Sequence, residues 1–201
     1  WGDNITLNIL TLILSYLIGS ISFALIVGKI LYKKDIRDYG SGNLGATNAY
    51  RVLGIKAGVI VAIADILKGT FACLLPLILG STVNPIVSGL LAILGHIFSV
   101  FASFKGGKAV ATATGVFLFL IPSGVFVGFV VFVLTLLFTK YVSLSSMLAC
   151  IALFVYSLIF EDKVIIGLSL LISVSIIILH RQNIKRILDG SENRIVAPQD
   201  S

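Results

Sequence analysis

The sequence predicts an all-α protein that crosses a membrane several times, and three observations indicate this. Hydrophobic residues make up 58% of the 201 residues and charged residues only 12%, whereas soluble domains carry about 25% charged residues. The hydrophobic residues form runs of the length that a bilayer requires. Most basic residues lie in alternate connections between those runs. We therefore expect a polytopic integral membrane protein that forms a single domain, 1–201.

Seven apolar runs follow one another along the chain, and each predicts one transmembrane helix. The runs are Ile5–Gly28, Ala57–Leu79, Ile86–Phe101, Ala109–Ile121, Val125–Phe138, Ser143–Phe160 and Val164–Leu179. The fourth and fifth runs contain 13 and 14 residues, fewer than the roughly 20 of a full span. They predict either two short helices or one re-entrant hairpin, which would leave five full spans.

The distribution of basic residues predicts the orientation, because lysine and arginine concentrate on the cytoplasmic side of a membrane. With seven helices, one side carries Lys33, Lys34, Arg37, Arg51, Lys56, Lys105, Lys108, Lys140, Arg181, Lys185, Arg186 and Arg194. The amino terminus is then outside and the carboxyl terminus cytoplasmic. A formal charge of +6 fits anionic lipids or an anionic substrate, and the dispersed basic residues argue against nucleic acid.

A glycine-rich connection, Tyr39–Gly54, is the first candidate for a functional loop. Its glycines Gly40, Gly42 and Gly45 permit tight turns with exposed N–H groups, which bind anions. A helix beginning just after them would add its positive end. The polar side chains of this stretch are Ser41, Asn43, Thr47, Asn48 and Arg51, and arginine can hold a phosphate with two parallel hydrogen bonds. The alternative interpretation is a flexible connector between helices.

A second candidate is the turn Lys105–Lys108, where two lysines flank Gly106 and Gly107. The fourth run begins directly after it, so a helix would direct its amino end toward the same place. The turn is predicted on the same side as the glycine-rich loop. The alternative is an interfacial turn whose lysines extend toward the membrane surface.

A third candidate follows the last run. If the helix continues, His180 and Asn183 share one face at a spacing of three residues, and neither residue is needed for anchoring. Arg181, Lys185 and Arg186 are typical of a basic stop-transfer tail. Glu192 could orient a basic site residue or cap the tail. The serines that begin the sixth run, Ser143 and Ser145 among them, are ordinary helix-start residues that could also contact a phosphate.

Asp65 and Lys68 lie inside the second run at a spacing of three residues. A charge there is costly unless it is paired, so we expect the two side chains to face each other. A structural pair and a pair that lines a site both remain open. His96 is expected to pack or hydrogen-bond within the third helix. The chain lacks paired carboxylates and a metal-ligand spacing, so no metal or other cofactor is expected.

Three segments together resemble the bacterial acyl-phosphate:glycerol-3-phosphate acyltransferase family (PlsY). They are GSGNLGATNAYRVLG at 40–54, the stretch from His96 through FKGGKAVATATG to Gly115, and HRQNIKRILDGSENRI at 180–195. The segments occur in the same order as in the family, and the resemblance covers nearly the whole chain. Ala109 stands where members of the family often have a glycine.

The resemblance implies transfer of a fatty acyl group from acyl-phosphate to the 1-hydroxyl of glycerol 3-phosphate, giving lysophosphatidate and phosphate. It also implies seven helices in the bacterial cytoplasmic membrane, with the site on the cytoplasmic face. By matching motif, the catalytic residues would be Ser41, Arg51, His180 and Asn183. The substrate-binding residues would be Gly40, Gly42, Asn43, Gly45, Thr47, Asn48, Lys105, Gly106, Gly107, Lys108, Ser143 and Ser145.

Because acyl-phosphate is already activated, the protein must position two substrates, neutralise two phosphates and remove one proton. His180 or the phosphate of the substrate could act as the base. We expect the three cytoplasmic segments to act on one bound substrate. A transporter of an organic phosphate is the alternative function, with Asp65 and Lys68 as its only candidate site within the membrane. A non-enzymatic scaffold would leave the glycine-rich loop unexplained.

Overall fold

The first apolar run forms two helices rather than one. In this computed structural model, which describes residues 4–195, α1 spans Ile5–Ser20 and α2 spans Phe23–Leu31. The two helices meet at an angle of 49°. The break follows from local capping, since the N–H of Leu25 donates to the Ser22 side chain at the start of α2.

Two side chains from distant parts of the chain satisfy the carbonyl groups that this break exposes. The hydroxyl of Ser99 donates to the Ser20 carbonyl at 2.5 Å. The Nζ of Lys68 donates to the Ile21 carbonyl at 2.7 Å. A backbone carbonyl without a partner is costly in an apolar interior, so these two donors stabilise the bend.

The remaining elements up to Leu120 complete the amino-terminal unit of the chain. They are a 3₁₀ turn at Ile36–Asp38, α3 over Ala46–Leu53, α4 over Ile55–Leu79, α5 over Pro85–Ile97, a 3₁₀ turn at Val100–Ala102 and α6 over Val110–Leu120.

Helices α4 and α6 pack closely because both present small residues. A Cβ atom on Gly69 would overlap the Thr112 carbonyl, and one on Gly115 would overlap the Ile66 carbonyl.

The predicted pairing of Asp65 with Lys68 is confirmed. The Nζ of Lys68 lies 2.7 Å from the Asp65 Oδ1 within α4. The two residues are 1% and 4% exposed. Each charge therefore has its opposite charge beside it, as a segment buried among apolar helices requires.

The carboxy-terminal unit begins at Ile121 and contains four helices in the part of the chain that the structure describes. These are α7 over Pro122–Thr139, α8 over Val142–Phe160, α9 over Lys163–Leu179 and α10 over Arg181–Leu188. Helices α8 and α9 are joined by a hydrogen bond of 2.6 Å between the Ser157 and Ser169 hydroxyl groups. Helices α9 and α10 meet at an angle of 57°.

The helix lengths agree with an integral membrane protein but correct one prediction. Between residues 4 and 195, four helical segments are long and apolar enough to cross a bilayer, and counting each bent pair as one span raises the number to six. The fourth run forms the short α6, as predicted. The prediction of a short fifth helix is wrong: α7 has 18 residues, because Pro122 occupies its first turn instead of ending a connection.

Candidate active site

The glycine-rich loop is held together by the side chain of Asn48, which is 1% exposed. Its Oδ1 accepts a hydrogen bond from the backbone N–H of Ser41 at 2.9 Å. Its Nδ2 donates to the carbonyl groups of Ile36 at 3.3 Å and Tyr39 at 3.2 Å. The sequence predicted that Asn48 binds substrate. In the structure, these three hydrogen bonds use its amide to hold the backbone of the loop in place.

Glycine is required at two positions of this loop. Gly40 and Gly42 have φ values of 61° and 67°, a region that side chains with a Cβ rarely adopt. A Cβ atom on Gly40 would also overlap the Asn48 Oδ1. The N–H of Gly42 donates to the Tyr39 carbonyl at 3.0 Å and closes the turn. The N–H groups of residues 41 and 42 are therefore used within the loop rather than exposed to an anion.

The predicted helix does begin directly after the loop. Gly45 precedes α3, whose first residues are Ala46 and Thr47, and the first N–H groups of a helix have no carbonyl partner in that helix. Thr47 and Arg51 are half-buried on this helix, and Ser41 is exposed. The amino end of α3 attracts anions, and the side chains of Ser41, Thr47 and Arg51 are of types that hydrogen-bond to them.

Loss of the Asn48 amide should loosen the loop. We expect Asn48→Ala to lower the free energy of unfolding by about 1–3 kcal/mol, because backbone groups of the loop lose their partners. Asn48→Asp should be at least as destabilising, since a carboxylate accepts from Ser41 but would face two carbonyl oxygens. Thermal unfolding of the detergent-solubilised variants measures this. A midpoint equal to that of the wild type in both variants would contradict the assigned role.

The Lys105–Lys108 turn lies directly against the carboxyl end of α5. The N–H of Gly106 donates to the Ile97 carbonyl at 3.0 Å, and the N–H of Gly107 donates to the His96 carbonyl at 3.1 Å. A Cβ atom on Gly106 would overlap the His96 carbonyl, and one on Gly107 would overlap the His96 Nε2. The two glycines therefore allow close approach to α5, and their own N–H groups are engaged there instead of facing a phosphate.

Two of the three predicted segments are brought together within the amino-terminal unit. A Cβ atom on Gly107 would lie 2.8 Å from the Leu44 carbonyl, so the Lys105–Lys108 turn contacts the glycine-rich loop. Leu44 is buried at this contact. Lys105 is exposed and Lys108 is half-buried. The two loops are thus in contact, and the turn contributes two lysines next to this contact.

Ala109 follows this turn in a conformation that favours glycine. Its φ is 58°, and the side chain is buried. The left-handed region costs a residue with a Cβ atom roughly 1–2 kcal/mol. A glycine at this position would adopt the same backbone without that cost, which gives a physical reason for the glycine of the resembled family.

In the carboxy-terminal unit, His180 occupies the bend between α9 and α10 and is 4% exposed. Its Nδ1 lies 2.8 Å from the Ile176 carbonyl. Since a carbonyl oxygen can only accept, the Nδ1 carries the proton of this bond. In the neutral imidazole the lone pair is then on Nε2, which is the nitrogen that could take a proton from a substrate.

Glu192 joins two other predicted site residues. Its Oε1 accepts from the Ser143 hydroxyl and from the Asn183 Nδ2, both at 2.7 Å, and its Oε2 accepts from the Arg186 Nε at 2.7 Å. The Glu192 side chain is 1% exposed. Of the two roles left open for Glu192, the contacts therefore favour that of orienting other side chains. Its contact with Asn183 follows from the turn after α10, where Gly190 has a φ of 71°.

Ser143 and Ser145 differ in their surroundings. The Ser145 hydroxyl donates to the Tyr141 carbonyl at 2.8 Å, one turn earlier in the chain, and the residue is fully buried. Ser143 instead reaches Glu192. The geometry therefore favours Ser143 over Ser145 as a residue that belongs with Asn183.

The Glu192 contacts predict how acid affects stability. Burial alone would raise the pKa of this carboxyl, but the hydrogen bonds from Asn183, Ser143 and Arg186 outweigh it and lower the pKa below its ordinary value of 4.5. A carboxyl with a lowered pKa stabilises the folded state above its ordinary pKa, and this contribution disappears as the pH falls through the lowered pKa.

We therefore expect the thermal midpoints of the wild type and of Glu192→Gln to differ at pH 7 and to converge as the pH falls below 4.5. The glutamine is neutral at every pH, so it removes the titration while keeping the size of the side chain. Thermal unfolding in detergent over this pH range measures the difference. A constant gap between the two midpoints would show that the ionised carboxylate is not what stabilises this cluster.

The long apolar helices define an integral membrane protein. In its amino-terminal unit, the contact between the glycine-rich loop and the Lys105–Lys108 turn brings together residue types that suit an anionic substrate. The family model described as glycerol-3-phosphate acyltransferase matches residues 9–190. Glycerol-3-phosphate acyltransferase 2 of Bacillus anthracis is 92% identical, covering 94% of this chain and 100% of the relative. Glycerol-3-phosphate acyltransferase of Bacillus subtilis strain 168 is 50% identical, covering 92% of this chain and 96% of the relative.

The fold agrees with these relatives. The crystal structure of PlsY (YgiH), an integral membrane glycerol 3-phosphate acyltransferase, in its glycerol 3-phosphate form is 38% identical, with a TM-score of 0.86 over 94% of this chain and 96% of that one. The lysophosphatidic acid form of the same protein gives a TM-score of 0.83. The chain belongs to the glycerol-3-phosphate acyltransferase family.

Proposed function

We propose that the chain transfers a fatty acyl group from acyl-phosphate to the 1-hydroxyl of sn-glycerol 3-phosphate. The products are lysophosphatidate and inorganic phosphate. Family membership supports the acceptor and the reaction class. The observation that carries the proposal is the contact of the Lys105–Lys108 turn with the glycine-rich loop, because two anionic groups need cationic and N–H donors in one place.

In the proposed reaction, the 1-hydroxyl oxygen attacks the carbonyl carbon of acyl-phosphate. The new C–O ester bond forms as the bond between that carbon and the phosphate oxygen breaks, and phosphate leaves with the electron pair. No covalent intermediate on the protein is required, because the donor is a mixed anhydride. The protein lowers the barrier by positioning the two substrates and by stabilising the charge that develops.

The roles follow from the chemistry of each side chain. Arg51 and Lys108 neutralise phosphate charge, assisted by the amino end of α3. Ser41, Asn43, Thr47 and Lys105 supply further hydrogen bonds. His180 accepts the hydroxyl proton at Nε2, with Asn183 and Ser143 contacting the polar part of the substrate. We propose that His180 acts on the same substrate that Arg51 and Lys108 bind.

We further propose seven transmembrane helices in the bacterial cytoplasmic membrane, with α1 and α2 together as the first, the short α6 as the fourth and α9 as the seventh. The amino terminus is then outside, and the loops that carry basic residues face the cytoplasm. The fatty acyl chain of the donor can lie among the apolar helices while its phosphate stays at the cytoplasmic surface.

The test uses purified protein in detergent with labelled glycerol 3-phosphate and palmitoyl phosphate. We expect labelled lysophosphatidate and one released phosphate for each product molecule. Palmitoyl-coenzyme A in place of palmitoyl phosphate serves as the control donor and should give no product. Product formation without vesicles excludes transport as the only activity, while exchange of organic phosphate by vesicles without any acyl product would support the transporter instead.

A further inference from the structure

The buried ion pair of Asp65 and Lys68 on α4 also contacts groups outside that helix. A buried ion pair by itself adds little stability, because removing both charges from water offsets their attraction. The pair of Asp65 and Lys68 makes two further contacts in the amino-terminal unit. One is with the helix break after α1, and the other is with His96 on α5.

Lys68 connects the pair to the helix break. Its Nζ lies 2.7 Å from both the Asp65 Oδ1 and the Ile21 carbonyl, and 5.7 Å from the centre of the Phe23 ring. The ammonium group therefore has a carboxylate, a carbonyl and an aromatic face around it. This arrangement fixes α2, which leads into the glycine-rich loop, relative to α4.

His96 connects the pair to the Lys105–Lys108 turn. Its Nδ1 lies 3.7 Å from the Asp65 Oδ1 and 3.1 Å from the Thr112 hydroxyl on α6. On its other edge, the imidazole Nε2 lies so close to Gly107 that a Cβ atom there would overlap it. The imidazole is thus held on the Nδ1 side and supports the turn on the Nε2 side.

Lys68 and His96 also line one small crevice, together with residues of the helix break and of both loops. Its walls include Ser20 and Ile21 of the break, Leu44, Lys68, His96 and Gly107. A shift of any of these groups would be transmitted to the turn, because closely packed interiors adjust little without moving their neighbours.

We propose that Asp65, Lys68 and His96, which join the helix break to the underside of Gly107, position the Lys105–Lys108 turn for the phosphate of glycerol 3-phosphate. This rests on the proposed function, in which that turn binds phosphate. The three residues are positioning residues and touch no substrate. They should therefore govern the affinity for glycerol 3-phosphate far more than the rate of the chemical step.

The first variant is His96→Asn. Its amide can still face Asp65 and Thr112 near the former Nδ1, but the part of the ring beneath Gly107 is removed. We expect the Kd of glycerol 3-phosphate, measured by calorimetry in detergent, and its KM to rise about tenfold or more, with kcat within about threefold of the wild type. An unchanged Kd in a folded His96→Asn protein would overturn the proposal.

A second variant removes the two charges of the cluster, those of Asp65 and Lys68, and leaves His96 in place. Asp65→Asn with Lys68→Met keeps the approximate size of both side chains, and neutral replacement of a buried pair often preserves folding. We expect a folded protein in which the Kd rises about threefold or more, because the Ile21 carbonyl loses its donor and His96 loses the carboxylate. If His96→Asn does not fold, this double variant decides the question, and a wild-type Kd in it overturns the proposal.

Ser88→Ala is the matched control. Ser88 is fully buried on the same helix as His96 and takes no part in the cluster. The Ser88→Ala protein should therefore bind glycerol 3-phosphate with the Kd of the wild type. The outcomes separate the two proposals. Wild-type protein that acylates glycerol 3-phosphate, with variants that bind it normally, overturns the positioning role alone. Wild-type protein that binds no glycerol 3-phosphate overturns the proposed function and the positioning role with it.

Discussion

Replacement of His180 by alanine is expected to lower kcat by about a hundredfold or more, which corresponds to about 2.7 kcal/mol of barrier. The Ile176 carbonyl accepts the proton of Nδ1, so the neutral ring presents a basic Nε2. Because a base must be unprotonated to act, activity that depends on His180 should fall on the acidic side. The measurement is the pH dependence of kcat for the wild type and for His180→Ala.

The shape of the two profiles distinguishes the possible bases. If His180 is the base, the variant loses both activity and the acidic limb of the profile. If the substrate phosphate is the base, whose second pKa is about 6, the loss is mild and the acidic limb persists in the variant. The second outcome would remove His180 from the catalytic role. Equal thermal midpoints of the two proteins would show that the loss is chemical.

Replacement of Gly106 by alanine should lower kcat/KM about a hundredfold or more, since a misplacement of about 1 Å can have that effect. The new Cβ atom would overlap the backbone carbonyl of His96, which cannot turn away as a flexible side chain can. The turn must then move, and the bonds from Gly106 to Ile97 and from Gly107 to His96 weaken with it. We expect most of this fall in kcat/KM to come from a higher KM for glycerol 3-phosphate.

Gly167→Ala is the matched control for this substitution. Gly167 lies inside α9, and a Cβ atom there would have no heavy atom within 4 Å. Alanine in a helix interior is favoured over glycine by roughly 0.5–1 kcal/mol, so activity should be retained with equal or higher stability. Kinetic constants near those of the wild type in Gly106→Ala would show that the turn tolerates the displacement.

The sequence was most informative where the signal is local. Apolar runs predicted the positions of the helices, and the spacing of Asp65 and Lys68 predicted their ion pair. The length of α7 and the break after Ser20 were not predicted. The break depends on donors from distant parts of the chain, because the carbonyls of Ser20 and Ile21 are satisfied by Ser99 and Lys68. The length of α7 depends on Pro122, which occupies the first turn of the helix instead of ending a connection.

The sequence also indicated which residue types belong to the loops but not what each one contacts. Asn48 was predicted to bind substrate, and Gly106 and Gly107 to offer N–H groups to a phosphate. In the folded chain the Asn48 amide holds its own loop, and the two glycine N–H groups donate to the end of α5. Glu192 could be assigned a definite role only after the contacts of its carboxylate were known.

By itself, therefore, the sequence determined that this is a helical membrane protein of the glycerol-3-phosphate acyltransferase family, because hydropathy and motifs are properties of contiguous residues. Only the tertiary structure decided which hydrogen-bonding groups are already engaged. It also decided that His96, the buried pair of α4 and the Lys105–Lys108 turn form one connected cluster. The physical reason is that a hydrogen bond depends on the position of both partners, and the partners here are separated by up to 79 residues in the chain.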